Sequence, residues 1–528
     1  MITSPPRRAG TRSAIATGGR LARVALLGSC LLAAVGCPGS NDDAPTTSGL
    51  PFEGAAITLL VVDDPALAEA VRKLAGEWKA QTGSQLDVAE CGSGELLAAK
   101  PRADAVIYPS HLLAELQGRD WIVPLPVDRM QGASLAAEGQ GGGIARDIAD
   151  AQPANEDGEQ AGESWSDIFS ALRSQEAAWG EELYAVPLGS PVLTCYYRDD
   201  LFERFNKRPP STWAEYQTLC DFFRDRDNLG DAAPPADRPW LAAAEPLADG
   251  WCGLTLLARA AAYAKHPYYS AALFDDATMQ PRIDQPPFVR ALEELVQAAG
   301  SNAAELRGLD PAGCRAAFWR GECALALTWA SAAGGAARPA EGGEAIVEAG
   351  IVELPGAEQT YDPGDGEWED GARGEPRRVA LLGIAGRLGS VVRGTQRHDA
   401  ALQLLLSLAG AEWSERVLAA SPATTLFRKQ HLRQPRGWVE ASADGKTAAR
   451  YALVVNESLA RAEYLFALRL PGRERYLAAL DAAVAAVLAG ESQPPEALRA
   501  AAEEWQEITE KLGVDQQRAA YKASLGRL

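Results

Sequence analysis

Ile57-Thr58-Leu59-Leu60-Val61-Val62-Asp63-Asp64-Pro65 opens the readable part of this chain, and its pattern decides the fold class. Six consecutive apolar or β-branched residues are the signature of a strand buried on both faces. Asp63-Asp64-Pro65 then supplies an N-cap and a first-turn proline, and Leu67, Val71, Leu74 and Trp78 recur at helical spacing along one face. Gly83 stops that helix, and Leu86-Asp87-Val88 returns as a second strand, which completes a β-α-β unit. Ala105-Val106-Ile107-Tyr108 continues the alternation, and further on the chain turns to long Ala/Leu helices, the last at 473–489 and 493–512. The mixture predicts α/β architecture.

Upstream of this unit lies an address. Arg7, Arg8, Arg12, Arg20 and Arg23 precede the apolar run Val24 to Val35. That run is too short for a bilayer core, which takes about 20 apolar residues, and it has the layout of a secretory signal. Its end, Ala34-Val35-Gly36-Cys37, resembles a bacterial lipobox. The resemblance implies a signal peptide of 1–36 and a lipidated Cys37. A plain cleavable signal, or the rival position Cys30, are the alternatives. Residues 37–54, starting PGSNDDAPTTSGL after the cysteine, read as a flexible tether.

The remaining chain of about 490 residues has room for two or three domains. Its net charge is −20 with the signal arginines included, and removing those five takes it to −25. Such a surface repels nucleic acid and anionic lipid. Beyond Cys30 and Cys37 there are six cysteines, an even number in an exported setting, and Cys314 with Cys323 is the favoured disulfide. No C-x-x-C pair and no histidine array occurs, so neither a metal nor a cofactor is expected. Gly445-Lys446-Thr447 mimics the end of a phosphate loop, but Glu440 stands where the first glycine belongs. With G-x-S-x-G and H-E-x-x-H also missing, no catalytic residue is assigned. Residues 130–164 and Pro355 to Pro376 read as polar insertions.

Aromatic and small polar residues cluster at the ends of the apolar strands. Sugar rings have apolar faces edged by hydroxyls, and such residues hold them by stacking and hydrogen bonding. The candidates are Trp329 and Ser331, Asp63 and Asp64, Ser93 in the turn Cys91-Gly92-Ser93-Gly94, Tyr108 and Ser110, and Ser190. Asp64 also has the plainer role of capping its helix.

Three further segments carry a resemblance. They are Tyr184-Ala185-Val186-Pro187-Leu188-Gly189-Ser190-Pro191 running on to Leu201-Phe202, Pro210-Ser211-Thr212-Trp213-Ala214-Glu215-Tyr216, and Phe318-Trp319-Arg320-Gly321-Glu322 through Thr328-Trp329. With Ala349 to Gly356 and Gly383 to Ser390, they resemble the bacterial extracellular solute-binding proteins of family 1, the maltose-binding-protein-like components of ABC sugar importers. The resemblance implies two α/β lobes of the type II periplasmic-binding-protein fold, 55–190 with 350–430 and 191–349 with 431–528, closing on a ligand in the cleft between them. It further implies a monomeric, lipid-anchored periplasmic protein that delivers a carbohydrate to a permease, with Trp329 at the cleft tryptophan's position. On that basis Trp329→Ala is expected to abolish ligand-induced stabilisation and to spare the fold. An exported carbohydrate-active enzyme using a carboxylate pair, and a sensing or scaffold protein without a transporter, are the rival readings.

Overall fold

A computed structural model describes residues 50–127, 165–333, 347–371 and 375–527; the signal segment, Cys37 and the insertion at 130–164 lie outside them. Leu50 to Gly54, expected in the tether, instead dock on the first helical layer: Phe52 donates its N–H to Thr82 O and its ring stacks on Trp78.

The β-α-β unit forms as its sequence dictates. Strand Ala56–Val62 pairs in parallel with Gln85–Cys91 on one side and Ala105–Pro109 on the other. Asp64 caps Pro65–Lys73 by accepting the Leu67 N–H at 3.1 Å. The helix predicted as one runs as two pieces, Pro65–Lys73 and Ala75–Thr82, and ends at Gly83 with φ +78°.

Two sheets organise the molecule. The first has the order Gln85–Cys91, Ala56–Val62, Ala105–Pro109, Arg387–Val391, Val186–Pro187, with Arg387–Val391 antiparallel to both its neighbours. The second has the order Ala349–Glu353, Thr194–Arg198, Cys323–Thr328, Leu241–Ala244. The chain passes from the first sheet to the second through Leu188 to Leu193 and returns before Arg387. The two passages touch, because Arg387 donates its N–H to Gly189 O. At Gly386, φ is +110° and a Cβ would fall 2.6 Å from the Ser190 hydroxyl, so only glycine fits where the passages cross. The outer edge of Ala349–Glu353 is covered by helix Gly445–Ala460, whose Thr447 hydroxyl and Arg450 guanidinium bond the carbonyls of Ala349 and Ile351. Asp444 caps that helix through the Thr447 N–H, which is what the Gly445-Lys446-Thr447 motif does here.

Under the second sheet, the Thr212–Glu215 capping box starts Trp213–Arg224. Trp213 and Tyr216 from that helix pack against the Arg259 guanidinium, whose buried charge meets Glu245 through two 2.8 Å contacts. The C-terminal helices Arg473–Leu488, Pro494–Leu512 and Val514–Ser524 match the predicted long helices and pack with Trp505 donating to Tyr476 O at 2.7 Å. Strand Tyr464–Phe466 ties them to the return passage by pairing with Ala380–Leu382. Among the described residues no helix is long and apolar enough to cross a membrane.

Within the polar insertion Pro355 to Pro376, Gln359–Asp362 and Glu367–Asp370 form an antiparallel hairpin. One expectation needs correction: Cys314 and Cys323 are not bridged, and all six described cysteines are free thiols. The helix Pro311–Trp319 runs back along the strand Cys323–Thr328, so its first turn lies beside the strand's far end, where the Thr328 hydroxyl bonds Pro311 O. Cys314 is in that first turn and Cys323 at the strand's opposite end.

Candidate ligand cleft

The carboxyl ends of the parallel strands in the first sheet converge on one turn. Asp63 follows Ala56–Val62 with φ +51°, a left-handed geometry that a short acidic side chain tolerates. Its exposed carboxylate accepts both the N–H and the hydroxyl of Ser93. Arg387 clamps this turn from the next strand but one, donating to Asp63 O at 3.1 Å and to the Asp64 carboxylate at 2.9 Å. Asp64 is buried and also accepts the Ser421 hydroxyl, so its oxygens are committed to the fold.

The second sheet contributes two tryptophans. Trp329 leaves the end of Cys323–Thr328, its ring centroid 5.7 Å from that of Trp251, and donates its indole N–H to Pro422 O at 3.2 Å. Beneath it, Arg315 donates to Trp329 O and pairs with Glu440 at 2.9 Å, and Glu440 accepts the Ser331 N–H. Burial lifts the Glu440 carboxyl above its ordinary range despite the Arg315 charge. The Ser331 hydroxyl is buried without a partner.

A third wall comes from the helix Arg473–Leu488. Its approach is fixed where the Gly472 N–H meets Glu115 at 2.8 Å, and Glu474 stands 4.0 Å from His111 Nε2. Farther along, Asp481 accepts the N–H groups of Gly250 and Gly253, on either side of Trp251. The same helix therefore touches the His111 side of the first sheet and the Trp251 side of the second. Burial, with the Arg473 and Arg387 charges, holds the His111 imidazole well below its ordinary pKa and so neutral.

Of the residues expected in a site, the structure brings Asp63 and Ser93 together at one strand end and Trp329 and Ser331 at another. It places the remainder differently. Tyr108 is fully buried in the first sheet and bonded to Ser390 at 2.7 Å. Ser110 and Ser190 are buried too and both donate to Ala385 O, with Ser190 also bonding Glu176 at 2.8 Å. These three knit the passages between the sheets. Sequence reasoning missed Trp251, His111, Arg387, Ser421 and Arg473. Trp251 had a readable signal, a tryptophan set between glycines at a helix start; the others depend on contacts distant in sequence.

Among the described residues one group has metal-ligating potential: His266, Asp362 and Glu369 bring a ligand atom each to within 4.8 Å of one another. There His266 Nδ1 accepts the Tyr268 N–H and Nε2 faces Glu369 at 3.0 Å, so both ring nitrogens are engaged in a polar network. A cavity of about 160 Å³ lies apart from the cleft residues, lined by Ala411, Glu415, Gln430, His431, Arg433 and Gln434.

With this geometry in hand, comparison with solved structures decides the fold. A solute-binding protein from Agrobacterium radiobacter K84 in complex with ribitol superposes with a TM-score of 0.57 at 18% identity, covering 87% of this chain and 100% of that one. The fold is that of ABC-transporter solute-binding proteins. The maltose-bound MalE3 of T. maritima shares it at a TM-score of 0.57 and 14% identity, over 86% of this chain and 100% of that one. So does a protein from Agrobacterium vitis S4 with bound D-mannitol, at 0.56 and 16%, over 87% and 99%. No family model matches the sequence, and no curated protein matches it. The two-lobed α/β architecture expected from the sequence is the one these structures have, while their identities leave the ligand of this chain to be argued from its own residues.

Proposed function

We propose that this protein captures a sugar or oligosaccharide outside the cytoplasm by closing its lobes, 55–190 with 350–430 against 191–349 with 431–528, and presents it to an ABC-transporter permease. In this reading a lipid on Cys37 holds the protein at a membrane, and no chemistry is performed on the ligand. What supports it is the pair Trp251 and Trp329, tied through the Ser421-Pro422 loop to the turn that carries Asp63 and Ser93, in a fold shared with proteins bound to ribitol, mannitol and maltose. Aromatic faces on one side and hydrogen-bonding groups on the other suit a polyhydroxylated ring. Closure is favoured because the ligand reaches both walls only in the closed state, so its binding shifts the equilibrium toward that state.

A thermal-shift screen of polyols, monosaccharides and oligosaccharides tests this. A ligand at 100 times its Kd stabilises by about 2.7 kcal/mol, a readily measured rise in Tm. A stabilising carbohydrate recovered unchanged supports the reading. Release of product from it favours the enzyme alternative, and the absence of any response overturns the carbohydrate assignment.

A further inference from the structure

Seven arginines are buried among the described residues, and six have several strong hydrogen-bonding partners. Arg198, Arg259, Arg315, Arg387 and Arg428 each pair with a carboxylate, and Arg469 donates to three backbone carbonyls. Arg473 is the exception. At 9% exposed it is the least enclosed of the seven, and its hydrogen bonding among the described residues is one 3.3 Å contact from Nε to Ala467 O. No described carboxylate comes within 4.0 Å of it. Glu474 and Asp481 act on it from farther off, but burial outweighs them and takes its pKa down to about 10. Its terminal nitrogens are not enclosed, so the charge is open to a partner from outside.

Its place in the fold says where that partner would come from. Arg473 begins the helix that touches His111 through Glu474 and brackets Trp251 through Asp481, so it stands between the two walls of the cleft. With Nε engaged on Ala467, the Nη1–Nη2 edge remains, and that edge matches the two oxygens of a carboxylate. Glu474 and Asp481, whose charges act on Arg473, disfavour a doubly charged phosphate.

We propose that the solute is an acidic sugar, a uronic or aldonic acid, whose carboxylate is received by Arg473 while its hydroxylated body lies against Trp251 and Trp329. The inference rests on the carbohydrate reading above and narrows it. Isothermal titration of the exported protein with glucuronate, galacturonate and gluconate, each beside its neutral counterpart and beside glucose 6-phosphate, tests it. The acid is expected to bind at least tenfold more tightly than the neutral sugar. Arg473→Gln should lose at least tenfold for the acid and leave the neutral sugar unchanged, with Arg473→Lys retaining part of the difference. Should the glutamine variant not fold, the lysine variant together with weakening of acid binding by salt separates the same outcomes. Equal binding of acid and neutral sugar, or acid affinity that survives in Arg473→Gln, overturns the proposal while leaving carbohydrate capture standing. Tighter binding of the sugar phosphate overturns the carboxylate assignment. Silence from all the probes overturns the acidic-sugar assignment, while the carbohydrate reading stands or falls by the wider thermal-shift screen.

Discussion

The indole N–H of Trp329 donates to the carbonyl of Pro422, and the hydroxyl of the preceding residue, Ser421, is bonded to Asp64. One short loop thus joins the end of a second-sheet strand to the helix cap of the first sheet. Trp329 is 4% exposed in this arrangement, so its substitution affects the fold as well as any ligand. Trp329→Phe keeps an aromatic face and removes the hydrogen bond, at a cost of about 1 kcal/mol. Trp329→Ala removes the ring and is expected to cost about 3–5 kcal/mol, in place of the intact fold that sequence alone suggested. Urea unfolding of both variants, with and without a stabilising carbohydrate, separates the effects: the ligand shift survives in the phenylalanine variant and disappears in the alanine variant.

Asp64 is the point where helix cap, ion pair and loop contact meet. Asp64→Ala strands the buried Arg387 charge, and removal of one partner of a buried pair costs about 3–5 kcal/mol. Asp64→Asn keeps a cap for Leu67 and should lose less. The double variant with Arg387→Met should be less destabilised than the sum of the two single changes, as measured by denaturant midpoints. A loss under about 1 kcal/mol for Asp64→Ala would contradict the arrangement.

His431 gives the protein a sensitivity to acid. Its Nδ1 accepts the Phe427 N–H and its Nε2 faces the Ser414 hydroxyl at 2.9 Å, while burial and the Arg428 charge take its pKa down to about 3. The unfolded chain has the ordinary value near 6.5, so between about pH 6.5 and 3 the unfolded state binds more protons. Stability from this group is therefore complete above pH 6.5 and is lost as pH falls, by up to about 1.4 kcal/mol per pH unit. His431→Gln should flatten that part of the profile. Unfolding midpoints of both proteins at pH 7 and pH 4.5 give the comparison, and parallel profiles would rule out the role.

Five of the six described cysteines are buried thiols, and only Cys91 is part-exposed. Thiol labelling of the native protein should modify Cys91 alone in this set, slowly, because burial and the neighbouring Glu95 and Asp63 charges raise its pKa. Denaturation should release the rest. Mass spectrometry after air oxidation should find Cys314 and Cys323 unlinked; a loss of two hydrogens on that peptide pair would restore the disulfide.

What the sequence disclosed was local. The apolar run at Ile57, the Asp64 cap and the two long C-terminal helices each follow from neighbours within one or two turns, and all are in place. The hydroxyls were harder to read. Ser110 and Ser190 have the chemistry of ligand contacts, but which carbonyl they meet depends on Ala385, 275 and 195 positions away. Arg387 and Asp64 are 323 positions apart, and no pattern along the chain pairs them. Arg473 looked like any helix-starting cation until its burial was known.

The strand order of the first sheet also governs how the molecule comes into being. Arg387–Val391 sits inside that sheet, between Ala105–Pro109 and Val186–Pro187. Synthesis must pass the whole second sheet before supplying it. A nascent chain therefore holds strands Ala56–Val62, Gln85–Cys91 and Ala105–Pro109 with an open edge until residue 391 has emerged. Contacts so distant in sequence slow folding, since the loop between them must close first. A chain that delays its own collapse stays threadable, the property that the proposed export of this protein would use.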